Sequence, residues 1–398
     1  MNELFDPLRR LLLDVCAPVK SEEGIKQIKH KLHKVNPASI MKLATIEFLA
    51  PLLYYQLKSL SLEGYEPIMP RLKDSYLRNT ARNLLLLKQI KLLKRQAEKE
   101  GIKIVLLKGA ALSTTIYNEI GLRPMTDVDI LVEQQDIERI RSMMQYNNMH
   151  PLFNDINQNW LYSIKSHIMP YQSDDNILSL EVHTRLFDDR FIHFKEIDPF
   201  DKLHTAHWDN ESFFIPEPYI AFIYMLYHTV IHHNFSFRLR DVVDLQYMVS
   251  YFKLDMGELL SYVYETHAPE LFLPLINAAF EPLGIRYKQS GKSTSISYLY
   301  WENSVVMKYV PIQLTSRLSD ATLRITILLT SRPAYWLSRI FRFTDYEISI
   351  FYKSKQPHGI FKKIGMGLWI LIVAIAHVLC YPIFRISRFI VKKMYSGV

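Results

Sequence analysis

Two aspartates, Asp127 and Asp129, stand one residue apart in the largely apolar run "TDVDILV". On an extended strand, residues i and i+2 project from one face, so this spacing brings two carboxylates together. In a cleft of low dielectric they repel, and a divalent cation removes that repulsion. Mg2+ takes hard oxygen ligands and keeps waters and substrate phosphates in its shell. A pair of such ions can stabilise both the attacking and the leaving oxygen of an in-line displacement. Mg2+ (or Mn2+) is therefore the expected cofactor. A third carboxylate normally supports the pair, and Glu181 in "ILSLEVHTRLF" is the candidate. His183 shares the face of Glu181 by the same alternation, either to orient that carboxylate or simply to pack.

The elements that must position these groups alternate. "IKIVLLKG" is short, β-branched and apolar, as a buried strand is. "AALSTTIYNEIG" follows as a helix closed by Gly121, "TDVDILV" as a strand, "EQQDIERIRSMMQYNNM" as an amphipathic helix, and "ILSLEVHTRLF" as a further strand. A glycine at the strand-to-helix turn, Gly109, lets backbone approach a ligand closely. The helix that starts there offers unpaired N–H groups and a positive dipole end. Gly109 and Ala110 in the turn and Ser113 in the first turns of the helix are thus candidate phosphate-binding residues. Lys108 either meets a phosphate as a point charge or pairs with one of the aspartates. Arg123, four residues before Asp127, is a further phosphate candidate.

On either side the period is helical. Residues 1–100 form an N-terminal helical region, with "PRLKDSYLRNTARNLLLLKQIKLLKRQAEKEG" stopping at Gly101. Residues 101–210 are the α/β core. Residues 211–330 return to helix through "IPEPYIAFIYMLYHTVIHH" and "RLRDVVDLQYMVSYF", with a polar loop at 284–298. Hydrophobic residues make up 49% of the 398 and glycines number only 12, which excludes collagen-like and flexible-linker classes. Cys16 and Cys380 cannot build a disulfide framework and read as reduced packing thiols. The N-terminal "MNELFDPLRRLLLDVC" reads as an amphipathic helix rather than a secretory signal.

The net charge of +8 is unevenly placed: residues 331–398 hold eleven Lys/Arg against two Asp/Glu, so the preceding 330 residues are close to neutral. Within that basic tail, Ile364 to Phe384 is a run of 21 residues without a formal charge. Its length suits a spanning helix, a helix lying in the headgroup layer or a buried helix, and the sequence leaves the three open. Anionic lipid attracts such a tail by ~1 kcal/mol per basic residue near the surface. The expected location is cytoplasmic, with residues 360–398 as an attachment to the inner face of the membrane.

Taken together, "LLKGAAL", "GLRPMTDVDILV" and "LEVHTRL" resemble a bacterial family of uncharacterised nucleotidyltransferases within the superfamily that has a polymerase-β-like core. Lys108-Gly109 is similar to the KGG turn of toxin-type nucleotidyltransferases, where an Arg-x-x-x-Asp-x-Asp run follows. The resemblance covers about residues 100–250. It implies an α+β fold, a mixed sheet with helices, flanked by N-terminal and C-terminal helical regions. It implies transfer of a nucleoside monophosphate from an NTP to an acceptor. Asp127, Asp129 and Glu181 would hold the metals, and Glu181 would serve as general base. Ala110 departs from the Gly-Gly or Gly-Ser turn of the pattern, and a methyl there would crowd the phosphates. In "HTVIHHNFSFRLRDVVDL", the supporting residues are His228, Arg238, Arg240 and Asp241, with Asp244 joining them in a charged lattice between helix and sheet. The acceptor is open: an envelope glycan, a lipid-linked molecule, a protein or an RNA.

Two other readings compete. In one, the same fold is a non-catalytic nucleotide-binding or scaffold module. In the other, His228 and His232, one helical turn apart, bind zinc with Asp241 or Asp244.

Overall fold

In a computed structural model of the chain, the described residues are 7–152, 168, 170–187, 198–232, 238–265 and 272–280. The loop at 284–298, the basic tail and the apolar run 364–384 lie outside them. Among the described residues, no helix is long and apolar enough to cross a membrane.

Five helices open the chain: α1 (Pro7–Cys16), α2 (Glu22–Leu32), α3 (Pro37–Ile46), α4 (Ala50–Leu60) and α5 (Met69–Lys99). Local sequence starts them. The Ser21 hydroxyl accepts from the Gly24 amide at 3.0 Å before α2, and the Asn36 side chain accepts from Ala38 at 2.8 Å before α3, with Pro37 at the first helical position. The long α5 turns Leu86, Leu87, Ile90, Leu93 and Ala97 inward, and these join the core beneath the sheet.

The sheet is built from β1 (Val105–Leu107), β2 (Val128–Leu131), β3 (Met149–Pro151), β4 (Tyr171–Ser173), β5 (Ser179–His183), β6 (Leu203–Trp208) and β7 (Glu211–Pro216). Its order is β3-β4-β5-β2-β1-β7-β6. The β2–β5 and β1–β7 pairs are parallel and the rest antiparallel, so the fold is α+β with a mixed sheet. Helices α6 (Lys108–Thr115) and α7 (Ile137–Tyr146) connect strands. Val128, Ile130, Leu180 and Val182 are fully buried in the core, each worth about 1.5–3 kcal/mol of burial.

Two features differ from the sequence reading. The β6–β7 hairpin falls where no strands are expected; its two-residue turn, Asp209-Asn210, has φ of 50° and 58°, the pattern of a type I′ turn. Helix α6 ends at Thr115 rather than running to Gly121. Gly121 instead lies so close to α5 that a Cβ there would collide with Thr80 and Tyr76. Side chains of α5 grip this loop: Asn83 donates to the carbonyls of Ile120 at 2.6 Å and Arg123 at 2.8 Å, Asn79 to Gly121 at 2.7 Å, and Arg82 to Met125 at 3.1 Å. The loop held this way runs directly into Asp127.

After β7, the chain is helical again: α8 (Pro218–Tyr227), a π-helical turn (His228–His232), α9 (Leu239–Phe252), α10 (Met256–Glu265) and α11 (Leu273–Phe280). The Glu217 carboxylate caps α8 by accepting from the amides of Tyr219 and Ile220. All the described residues belong to one compact unit, Met1–Lys288.

Candidate functional site

Three neighbouring strands deliver the charged groups. In the parallel β2–β5 ladder, Asp129 pairs directly with Glu181, and His183 lies two residues further along β5 on the same face. In the antiparallel β1–β2 ladder, Leu107 pairs with Asp129, so the next residue, Lys108, emerges beside the acids. Asp127 sits in the bend just before β2 rather than within the strand.

The contacts are short. The Lys108 ammonium donates to Asp129 Oδ1 at 2.6 Å and stands 3.9 Å from Glu181 Oε2. His183 Nε2 is 3.0 Å from the same Asp129 oxygen and 3.7 Å from Glu181 Oε2. The Asp129 side chain is 5% exposed and that of Glu181 25%, so Glu181 is the acid that solvent or a substrate reaches more readily. Burial works against the Lys108 charge, but the Asp129 and Glu181 carboxylates outweigh it and hold the ammonium above its usual pKa. Burial, and then repulsion from Asp129 and Glu181, raises the pKa of Asp127. Asp127 therefore feels the same cluster.

Lys108 has φ of 44°, in the left-handed region that residues other than glycine seldom occupy. That conformation swings its side chain to the cluster. Tyr224 of α8 closes the other side: its ring centroid lies 5.8 Å from the Lys108 ammonium, and it meets the His183 ring edge-on at 6.3 Å. Burial pushes the Tyr224 hydroxyl above its usual pKa. Nothing in the sequence singles Tyr224 out, because an aromatic residue in an apolar helix reads as core.

The remaining candidates from the turn point elsewhere. The Ala110 side chain is fully buried in the hydrophobic core. Ser113 donates back to the Gly109 carbonyl and lies 3.1 Å from the Met125 sulfur. Gly109 is buried against Arg123, and a Cβ there would collide with the Arg123 guanidinium. The close approach that this glycine permits is thus to a side chain of the protein. Arg123 itself is committed to Asp244 of α9: Nε is 3.0 Å and Nη2 2.9 Å from Asp244 Oδ2, both side chains being almost fully buried. The Tyr117 hydroxyl donates to Asp244 Oδ1 at 2.7 Å.

The rest of the RLRDVVD run is a lattice between helices and the loop before β2. Arg238 donates to the Ile46 carbonyl at 2.8 Å and stacks over Phe48 at 3.9 Å. Arg240 donates to the Pro124 carbonyl at 3.3 Å and to Asp241 at 3.1 Å. Asp241 caps α9 by accepting from the Arg238 amide at 2.9 Å. His228 stands at the start of the π-helical turn with its ring 6.3 Å from that of Tyr224. The zinc reading needs the His232 side chain, which lies outside the described residues. The two aspartates it would use face Arg238, Arg240 and Arg123.

Among the described residues, Asp129, Glu181 and His183 each offer a donor atom within 4.8 Å of the others, close enough for one cation to engage all three. Two carboxylates and an imidazole suit a hard or borderline divalent ion such as Mg2+ or Mn2+. The imidazole is the member that the sequence reading did not count as a ligand.

The family model described as uncharacterised nucleotidyltransferase matches residues 33–284. Comparisons with curated proteins and with solved structures give no match. The matched region contains the acids, Lys108, the gripping helix α5 and the Arg–Asp lattice. The chain belongs to the uncharacterised nucleotidyltransferase family.

Proposed function

We propose that the protein transfers a nucleoside monophosphate from an NTP to an acceptor, releasing pyrophosphate, with Mg2+ or Mn2+ held by Asp127, Asp129 and Glu181. The observation that carries this reading is the direct pairing of Asp129 with Glu181 across adjacent parallel strands, with Lys108 between them. Bound divalent ions would neutralise phosphate charge and polarise the reacting oxygens.

The chain's own residues supply the rest. Glu181, the more exposed acid, takes the proton of the acceptor hydroxyl. Lys108 offers positive charge to the phosphates from the end of β1. Asp129, held by Lys108 and His183, keeps one fixed orientation. Tyr224 and Phe187, whose rings meet edge-on at 6.1 Å, wall off one side from water. The work is mostly positioning and charge neutralisation.

The test supplies each of four α-phosphate-labelled NTPs with Mg2+ and a cell lysate, then follows label transfer and pyrophosphate release. Transfer that needs the metal and disappears in both Asp127→Asn and Asp129→Asn supports the proposal. Nucleotide binding without turnover in the presence of every acceptor fraction favours the non-catalytic module instead. The basic tail directs the acceptor search to the envelope, among glycans and lipid-linked molecules. Removing residues 360–398 is expected to move the protein from the membrane fraction to the soluble one.

A further inference from the structure

We propose that Lys108 is a built-in counter-ion of the acidic cluster, so that a divalent cation binds well only when a polyphosphate arrives to take the ammonium away. The inference rests on the metal-dependent reading above and adds an order to it. Two carboxylates, Asp129 and Glu181, stand side by side on β2 and β5, and Asp127 lies just before β2. The Lys108 ammonium is inserted among them, 2.6 Å from one acid and 3.9 Å from another, with a side chain only 10% exposed. A second positive charge entering this small, poorly solvated space meets the ammonium at short range. The cation and the ammonium therefore compete for Asp129.

The turn holds the ammonium there. Lys108 keeps a left-handed backbone that its surroundings must impose. Arg123, fixed by Asp244, presses on the adjacent Gly109. The Tyr224 ring backs the ammonium at 5.8 Å. A lysine is a compact charge on a flexible stem and pairs well with phosphate oxygens. A polyphosphate thus gives it a second anion and frees Asp129 for the cation. Because linkage is reciprocal, the cation favours the polyphosphate to the same degree.

The test measures Mn2+ binding to the full-length protein by electron paramagnetic resonance, alone and as the preformed Mn2+–tripolyphosphate complex. Lys108→Met is expected to bind Mn2+ alone about tenfold more tightly than wild type, yet to bind the complex more weakly. Lys108→Arg, which keeps the charge, is expected to hold Mn2+ alone as weakly as wild type. The inverted ranking cannot come from partial unfolding, which weakens both. Should Lys108→Met bind Mn2+ alone no better than wild type while Asp129→Asn abolishes binding, the counter-ion role fails and the metal centre stands. Mn2+ binding that survives Asp129→Asn unchanged overturns both.

Discussion

Replacing Asp244 by alanine tests whether Arg123 is a structural group or a phosphate ligand. The carboxylate is fully buried and the guanidinium 5% exposed, and they share contacts of 3.1, 3.0 and 2.9 Å. Truncating one partner of a buried pair leaves an uncompensated charge, at a cost of about 3–5 kcal/mol. The Tyr117 hydroxyl also loses its acceptor, which for a buried donor adds about 1–3 kcal/mol. Both losses stem from one carboxylate and overlap, so a total of about 5 kcal/mol is expected. That is a large part of the ~5–15 kcal/mol that holds a domain folded. At ~2–4 °C per kcal/mol for a domain approaching this size, the melting temperature falls by about 10–20 °C. Circular dichroism melts and urea midpoints measure it. The double variant Arg123→Met/Asp244→Leu, with no stranded charge, should regain most of the loss. It should also keep wild-type affinity for NTP. A single variant within ~1 kcal/mol of wild type would refute the buried-pair argument. A stable double variant that loses NTP affinity would place Arg123 on the substrate.

Other substitutions are sharper. Gly109→Ala drives a methyl into a guanidinium that Asp244 prevents from moving, so stability drops by about 1–3 kcal/mol and turnover falls with it; urea melts and steady-state kinetics check both. Asp129→Asn should reduce metal-dependent transfer by ~100-fold or more, read by label transfer, because it removes the charge that the cation, Lys108 and His183 all engage. Burial pushes the Cys16 thiol from 9.0 to about 12. In a Cys380→Ser background, Cys16 should therefore resist a thiol reagent at pH 8 until denaturant is added. The unfolded thiol ionises above pH 9 while the folded one does not, so this contribution to stability is lost as pH rises from 9.0 towards about 12, and Cys16→Ala should flatten that decline in urea melts.

Part of the candidate site was legible from short-range rules: alternation along β5 puts Glu181 and His183 on one face, and Lys108 stands at the turn that ends β1. Other features were not. Arg123 and Asp244 lie 121 residues apart, and charge spacing in a sequence cannot say which distant acid an arginine will meet. The faces of Ala110 and Ser113 depend on where α6 begins, and Lys108 itself is its first residue. A shift of that start turns every side chain about the axis. The β6–β7 hairpin did leave a signal, since Asp-Asn between "LHTAHW" and "ESFFIP" fits a tight turn, but the strand pattern there is mixed with polar residues. Tyr224 gave none: its role arises only when α8 is laid against the end of β1.

The parallel β2–β5 ladder makes the site depend on strand register. Main-chain hydrogen bonds set the separation of Asp129 and Glu181, and sliding either strand by one residue would send its acid through to the opposite face. The stretch between Leu131 and Ser179 adds a brace to that spacing: β4 pairs with β5 along Tyr171 and Gln172, and the Ile168 amide donates to the Val182 carbonyl at 2.9 Å. A cut or insertion that unseats β4 would therefore loosen β5 and the acid it carries.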